Sequence, residues 1–341
     1  MNRSKLAERF ATSSSGATWK TFVIEAHADG DPDALLHDAF SAGVRPTDDA
    51  HLHVVDGDVP FVVDSLDSRF WRLHTTAPAS EAEPHLKPII ESHRSLDWMW
   101  LPSGHLGNVW PNTEPVWVAT DYSERLRPGS DGIADLRLRV GGKDAAKVLA
   151  TIEERHGGTV PLSAVALRPT DPNYGTVHEL VSRDGRFIAH GRDFALHQAI
   201  VRRVVDHYRR LVEGAESRCL RYVELPSGGA LLKGSPIVLR LSRPISDLDW
   251  FLGQLFSSRE PFRLWAVPHL VTAQRAEVEA VDLHVGQRLR FDITPSELRV
   301  YLFDGGCGNT IARLACNLQH YLDANLTIVD PELDTHLRQS A

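Results

Sequence analysis

The chain has 341 residues, of which 42% are hydrophobic and 24% are charged, and its formal net charge is −8. This composition is ordinary for a globular protein with a buried core, and at roughly 150 residues per domain the length predicts about two domains. The negative charge argues against a protein whose main partner is nucleic acid, although a local basic patch would still permit such contacts.

Three cysteines occur, Cys219, Cys307 and Cys316, and none of them forms a Cys-x-x-Cys pair. This usage argues against a disulfide-rich secreted scaffold and against a zinc ribbon. No apolar run approaches the roughly 20 residues of a membrane span. We therefore expect a soluble, cytoplasmic protein without membrane contact. The preference for arginine over lysine is typical of a GC-rich bacterial genome.

Residues 1–18 are predicted to be a flexible leader, because residues 11–18 are rich in Ser, Ala and Gly. An aromatic-rich α+β domain is predicted over residues 19–122. Apolar alternation and turn residues indicate its strands and helices. The strands are predicted at residues 19–26, 51–55, 59–63, 96–101 and 115–120, and the helices at residues 32–42 and 81–93.

The polar, Pro- and Gly-rich segment 123–132 is the predicted domain boundary. A larger α+β domain is predicted over residues 133–330, followed by a tail at residues 331–341. Its elements are a strand-helix-strand unit at 134–167, a long amphipathic helix at 193–213, a strand meander over 277–303 and a helix from about 309 to 324. Hairpins outnumber crossovers, which indicates two α+β domains of mixed, largely antiparallel sheets packed by helices.

The sharpest local motif is a glycine-rich turn between a strand and a helix, with the sequence LFDGGCGNT at residues 302–310. A helix N-terminus lowers the pKa of a nearby thiol, so Cys307 is a candidate nucleophile. His284 is the candidate base, and Asp304 or Asp282 the candidate orienting group. The turn also offers N–H groups to an anion or ligand, through Gly305, Gly306, Gly308, Asn309 and Thr310.

That motif also has a purely structural interpretation. Glycines are the usual means of turning a strand sharply into a helix, and an unpaired cysteine is often a small buried hydrophobe. A phosphate loop of the Walker type would need Lys-Ser or Lys-Thr after its last glycine, whereas Asn309-Thr310 follows here. The turn is therefore not predicted to be a Walker loop.

Histidine is abundant, with 17 residues in the chain. His51 and His53 lie two apart on a predicted strand and would share one face, which makes them candidate metal ligands. His27 and Asp29, in a neighbouring loop, are similar to half of a two-histidine, one-carboxylate metal site. Imidazole and carboxylate together suit zinc, iron or manganese. Such pairs also arise by chance in a histidine-rich chain, and the sequence indicates no particular cofactor.

Tryptophans crowd the first third of the chain, and Trp98, Trp100 and Trp110 are candidate contacts for a protein partner. A tryptophan-rich core is the alternative interpretation. Because no complete catalytic constellation is visible, the leading hypothesis is a non-catalytic recognition or assembly protein that binds a protein partner. The alternative is a hydrolase or transferase that uses Cys307, and the sequence does not decide whether the protein is an enzyme.

Overall fold

A computed structural model describes residues 18–40, 43–129, 136–156, 159–173, 175–191, 193–226 and 228–338. Within these residues the chain forms eight helices and three antiparallel sheets of twelve, two and six strands, so the predicted α+β class is confirmed. Residues 1–17 of the predicted leader lie outside the described residues. In the described part of the chain, no helix has the length and apolarity needed to cross a membrane.

The elements are numbered here in chain order. The helices are α1 (Pro32–Phe40), α2 (Ala79–Ser92), α3 (Ser103–Leu106), α4 (Ala145–His156), α5 (Phe194–Glu216), α6 (Leu248–Leu255), α7 (Asn309–Tyr321) and α8 (Pro331–Arg338). The strands are β1 (Thr18–Ala26), β2 (Val44–Pro46), β3 (Leu52–Val55), β4 (Phe61–Asp64), β5 (Phe70–Thr75), β6 (Leu96–Trp98), β7 (Trp117–Tyr122), β8 (Leu136–Gly141), β9 (Leu162–Leu167), β10 (Thr170–Asp171), β11 (Gly175–Ser182), β12 (Arg186–Gly191), β13 (Arg221–Glu224), β14 (Ala230–Lys233), β15 (Ile237–Arg240), β16 (Leu264–Val271), β17 (Ala276–Asp282), β18 (Arg288–Ile293), β19 (Glu297–Leu302) and β20 (Thr327–Ile328).

The large sheet is built around β1. Its strand order is β2-β3-β4-β5-β1-β12-β11-β9-β7-β8, with β6 paired to β1 and β10 paired to β11. The sequence of β1, TWKTFVIEA, is rich in β-branched and aromatic residues, and all of its residues after Thr18 are buried. A strand buried on both faces carries such a continuous apolar run. The end of β1 therefore delivers Glu25, a charged residue, into the protein interior.

The six-stranded sheet has the order β16-β17-β18-β19-β15-β20. Burial alternates strictly along β17, because one face of this sheet covers the core and the other faces solvent. The two-stranded sheet pairs β13 with β14. One hydrophobic cluster joins residues of both larger sheets with α5 and α7, so the sheets share a core.

Helix α5 is the long amphipathic helix that the sequence predicts. The Asp193 side chain accepts a hydrogen bond of 3.0 Å from the Leu196 N–H, which caps the first turn. Apolar side chains at spacings of three and four face the core, among them Ile200, Val204 and Leu211. The last residue of the helix, Glu216, reaches the candidate site described below.

The predicted division into two domains is not confirmed. The segment 123–132 lies between β7 and β8, and these two strands pair with each other from Trp117–Gly141 to Tyr122–Leu136. Strands from both sides of the predicted boundary thus belong to one sheet. The predicted tail is also ordered in part, because Leu333 and Leu337 of α8 are buried against the main core.

Candidate functional site

Four side chains with metal-ligating atoms meet in the interior. Glu25 lies near the end of β1, His27 follows that strand, His284 follows β17, and Cys307 lies in the turn between β19 and α7. The donor atoms of these four residues all lie within 4.8 Å of one another. Among the described residues, this is the one group of three or more such side chains that lie so close together. We call these four residues the Glu-His-His-Cys cluster.

Three of the donor atoms converge on one point. Cys307 Sγ is 3.3 Å from Glu25 Oε1 and 3.5 Å from His27 Nε2, and that nitrogen is 3.2 Å from Glu25 Oε1. In a Cys-His-Asp triad the carboxylate binds the imidazole nitrogen remote from the nucleophile. Here both contacts use His27 Nε2, so the geometry is that of ligands around a shared centre and not of a proton relay.

Several polar atoms of the cluster are buried without a partner. Both ring nitrogens of His284 and Glu25 Oε2 have no hydrogen-bond partner. An unsatisfied buried polar group costs about 1–3 kcal/mol, so native proteins usually supply a partner, a water or an ion. Burial lowers the pKa of His284, which favours the neutral imidazole that binds metals.

A second layer of charged residues surrounds the cluster. Arg69 Nε donates to Glu25 Oε1 at 2.6 Å, and its Nη1 donates to Glu216 Oε2 at 3.0 Å. Arg69 Nη2 also lies 3.6 Å from Cys307 Sγ. Burial opposes ionisation of Glu25, but the hydrogen bond from His27 and the charge of Arg69 hold the pKa of Glu25 well below its ordinary value.

A buried ion-pair network fixes the loop that carries His284. Arg313 of α7 is fully buried and bridges two carboxylates, Asp97 of β6 and Asp282 of β17. The His284 N–H donates to Asp282 Oδ1 at 2.9 Å, and the Thr310 hydroxyl donates to the other oxygen of that carboxylate. The first turns of α7 are therefore tied directly to one corner of the cluster.

The predicted activation of Cys307 by the helix is not what the structure indicates. Helix α7 begins at Asn309, so Cys307 lies outside its first turn. Burial, together with the charge of Glu25, raises the pKa of the Cys307 thiol well above its ordinary value. The nearby Arg69 guanidinium opposes this rise but does not outweigh it, so the sulfur is a neutral thiol, which is a poor nucleophile.

The predicted orienting group also differs. Asp304 is exposed, and neither ring nitrogen of His284 has a hydrogen-bond partner, so Asp304 does not orient that ring. Asp282 contacts His284 through the backbone N–H and not through the imidazole. The structure thus brings Cys307 and His284 together as predicted, but with Glu25 and His27 as their neighbours.

The glycines of the turn serve mainly to bring segments of the protein together. A Cβ atom at Gly308 would overlap the carbonyl of Val212 in α5, and one at Gly306 would lie 2.8 Å from the Phe303 carbonyl. Gly305 has a φ of 76°, which glycine adopts without strain. Two of the three predicted ligand-binding glycines therefore face protein backbone.

Asn309 and Thr310, also predicted to contact a ligand, are buried and bonded within the protein. The Asn309 side-chain amide donates to the Trp98 carbonyl and to the Tyr208 hydroxyl, both at 3.1 Å. The Thr310 hydroxyl donates to Asp282. These side chains anchor the start of α7 instead of lining an open space.

The predicted metal pair of His51 and His53 does not form a shared face. His53 is buried on β3 with its Nε2 3.3 Å from Asp33 Oδ1, whereas His51 precedes the strand and is exposed. Within the described residues, neither belongs to a group of three or more clustered donors. Of the second predicted pair, His27 is in the cluster, but its carboxylate neighbour is Glu25 and not Asp29.

The predicted tryptophan contact surface is mostly core. Trp98 and Trp100 are 7% and 6% exposed, and Trp100 Nε1 donates to Asp97 Oδ1 at 3.2 Å. Trp110 is half-buried against the main hydrophobic cluster. These side chains therefore stabilise the interior and do not present an aromatic patch to a partner.

Sequence reasoning did not identify Glu25, Arg69 or Glu216 as site residues. Arg69 and Glu216 carry no local signal, because they reach the cluster only through the tertiary fold. Glu25 does carry one, since it is a carboxylate inside the apolar run WKTFVIEA, two residues before a histidine. A charged side chain within a fully buried strand requires a partner, and such positions mark candidate sites.

Comparison with known proteins places the chain in a family. The family model for MJECL33-like proteins matches residues 4–336, so the chain belongs to that family. It is similar to a protein of Methanocaldococcus jannaschii designated MJECL33, with 24% identity over 359 aligned residues that cover 92% of this chain and 86% of the relative. That relative is archaeal, so the bacterial origin indicated by the composition stays a prediction.

Proposed function

We propose that this MJECL33-like protein binds one divalent transition-metal ion through the Glu-His-His-Cys cluster and uses it for metal-assisted hydrolysis. The observation that carries the proposal is the spacing of the donor atoms. Around a tetrahedral zinc ion, ligand atoms lie about 3.3 Å apart for nitrogen and oxygen, and about 3.6 Å apart when one atom is sulfur. The separations of 3.2, 3.3 and 3.5 Å among Glu25, His27 and Cys307 agree with these values.

The chemistry of the donors favours zinc. A thiolate is a soft ligand that selects zinc or copper over magnesium and calcium, and imidazole suits the same borderline ions. The unpartnered nitrogens of His284 supply a further ligand in the neutral form that a metal requires. A bound cation would also reverse the effect of burial on Cys307, since a coordinated thiol is deprotonated.

The charges of the site support a divalent ion. Glu25 and Glu216 carry two negative charges and Arg69 carries one positive charge, which leaves one net negative charge around the cluster. A Cys307 thiolate would add a second negative charge. A divalent cation would therefore bring the buried site close to neutrality, and buried charges persist in proteins when they are compensated in this way.

Two features support a reactive site over a purely structural one. Structural zinc sites are usually built from cysteines with histidines, whereas carboxylate ligands are typical of catalytic sites. The His27 side chain is 29% exposed, so the cluster has access to solvent on that side. If water took the place of His27, then Glu25, His284 and Cys307 would remain as the three protein ligands of a catalytic zinc ion, which would lower the pKa of the bound water to about 7.

Metal analysis of the purified protein tests the proposal. We expect one zinc ion per chain, and a thiolate-to-metal absorption band after replacement of zinc by cobalt. Cys307→Ser should remove that band and weaken binding by roughly 100-fold, as loss of a ligand does at least as much as loss of a supporting residue. Cys316→Ser is the matched control, because Cys316 is also fully buried but bonds to the Leu101 carbonyl, away from the cluster.

Comparison of the two histidines separates a reactive site from a structural one. His27→Ala should retain the ion, with water in the vacated position, whereas His284→Ala should lose it, because His284 is fully buried. Equal loss of metal from both variants would indicate a closed structural site and contradict hydrolytic use. A wild-type protein that binds no zinc, or a Cys307→Ser variant that binds it equally well, would refute the metal site itself.

Binding of a protein partner, the leading hypothesis from the sequence, stays a prediction. Exposed apolar side chains do occur on the edge strand β16, where Trp265, Val267 and Leu270 are 50%, 46% and 43% exposed. The register of this strand against β17 shifts between Pro268 and Leu270. Proline and irregular pairing are the usual protection of an edge strand against unwanted association. This edge therefore does not by itself favour a partner over solvent.

A further inference from the structure

A cleft lined with arginine lies on the face of the large sheet near the C-terminal end of α7. Its volume is about 640 Å³, within the range of small-molecule sites. The floor consists of small side chains on three adjacent strands, with Ala164 of β9 directly between Ala119 of β7 and Ser182 of β11. Because these side chains are short, the sheet leaves room for a ligand above them.

The walls of the cleft are positively charged. Five arginines and three acidic residues line it, so five minus three leaves two net positive charges, against a net charge of −8 for the whole chain. Three of the five arginines have an acidic residue beside them that offsets their charge. Arg137 pairs with Asp121, Arg186 pairs with Glu83, and Arg183 lies beside Asp184.

The excess charge belongs to Arg125 and Arg139. Within the part of the chain that the structure describes, neither has a salt-bridge partner. Arg125 instead stacks on the ring of Tyr321, with its guanidinium carbon 3.9 Å from the ring centroid. The Tyr321 hydroxyl accepts a hydrogen bond of 2.8 Å from Arg183, so the ring and both guanidinium groups are held in place before a ligand arrives.

An aromatic surface accompanies these charges. Trp117 lies at the start of β7, is half-buried and lines the same cleft as the arginines. A guanidinium group can donate two parallel hydrogen bonds to the oxygens of one phosphate, and aromatic rings stack with nucleic-acid bases. A ligand that combines a phosphate with a flat base satisfies both features of the cleft.

From this juxtaposition we infer that the cleft binds a nucleoside phosphate, with the phosphates at Arg125 and Arg139 and the base against Trp117. The inference goes beyond the proposed metal function and is independent of it. The cleft reaches Tyr321 at one end of α7, and the Glu-His-His-Cys cluster adjoins the other end. Thirteen helical residues separate these ends, a length of about 20 Å.

Calorimetric titration of the full chain, with its metal content measured, tests the inference. The probes are ATP, adenosine, inorganic pyrophosphate and a single-stranded oligothymidylate. We expect ATP to bind, and to bind at least about tenfold more tightly than adenosine or pyrophosphate, because each of these offers only part of the ligand. Binding of ATP should also weaken as salt concentration rises, since the phosphate contacts are electrostatic.

Charge removal provides the matched comparison. The double variant Arg125→Gln/Arg139→Gln should weaken ATP binding by about 100-fold, at roughly tenfold for each charged hydrogen bond lost. The control Arg240→Gln/Arg290→Gln also removes two charges, but from exposed side chains of the six-stranded sheet. It should change ATP binding less than twofold.

Four results would overturn the inference: no binding of ATP, equal weakening by both double variants, pyrophosphate binding as tightly as ATP, or an oligothymidylate that displaces ATP with higher affinity. The last would assign the cleft to nucleic acid. Metal content should be the same in the wild type and both double variants, so failure here is distinguishable from failure of the metal site.

Discussion

The two ends of helix α7 illustrate opposite uses of charged residues. At its N-terminal end, Glu25 and Cys307 lie in a buried cluster with net negative charge and unpartnered polar atoms. At its C-terminal end, Tyr321 borders an open cleft with net positive charge. The local charge therefore has opposite sign at the two ends of one buried helix.

Buried contacts along the middle of α7 fix the position of both its ends. All residues from Asn309 to His320 are buried, although several of them are polar. Arg313 pairs with two buried carboxylates near one end, and Asn317 accepts a hydrogen bond from Arg183 near the other. Buried polar groups that are paired in this way rigidify the elements they join, so these contacts hold α7 in place between the cluster and the cleft.

The largest expected loss of stability comes from a substitution in the middle of α7. Arg313→Met should reduce the free energy of unfolding by about 3–5 kcal/mol, because Asp97 and Asp282 would remain buried without their shared counter-ion. Arg299→Met is the control, since Arg299 is 49% exposed and its ion pair contributes little. Urea unfolding followed by circular dichroism measures both. A loss below about 1 kcal/mol in Arg313→Met would show that the network is not a structural support.

A smaller effect is expected at the N-terminal end. Gly308→Ala should destabilise the protein by about 1–3 kcal/mol, because the added methyl group would overlap the Val212 carbonyl and force α5 and α7 apart. The control is Gly253→Ala in α6, where no atom lies within 4 Å of the added Cβ. That substitution should be neutral or stabilise the helix by up to about 1 kcal/mol. Equal thermal shifts in the two variants would contradict the close contact.

The C-terminal end should respond to acid. His320 is fully buried and its Nδ1 lies 3.0 Å from the Asp121 carbonyl oxygen. Burial, with the charge of Arg183, lowers the pKa of His320 from 6.5 to about 3. Between these two pKa values, His320 is therefore protonated in the unfolded chain and neutral in the folded chain. The contribution of His320 to the stability of the folded state is complete above pH 6.5, and it is lost as the pH falls from 6.5 toward 3.

At about pH 5.5 this linkage amounts to about 1.4 kcal/mol for His320. The free energy of unfolding should be measured at about pH 7.5 and about pH 5.5. Its decrease between these two pH values should be about 1.4 kcal/mol smaller in His320→Gln than in the wild type. His37→Gln is the matched control, because it also replaces a histidine but on the exposed side of α1. The same pH dependence in His320→Gln and the wild type would disprove the assignment.

The prediction of individual elements succeeded where local signals were strong. The apolar run at β1, the Asp-capped periodic helix α5 and the glycine-bounded start of α7 all appear in the structure at about the predicted residues. The predicted domain boundary at 123–132 relied on composition alone. Composition of this kind marks a connection between elements, and such a connection can join two paired strands such as β7 and β8 as well as two domains.

Some residues of the candidate site were predictable from local sequence patterns, and others were not. The sequence by itself marked Cys307 and His284 as reactive residue types, because a cysteine in a glycine-rich turn before a helix is a local pattern. It determined the α+β class as well, since strand and helix periodicities are local. The tertiary structure alone decided that Glu25 and His27, more than 250 residues earlier in the chain, complete the cluster. Metal ligands and charged clefts depend on distances between side chains, and only the packing of distant segments sets those distances.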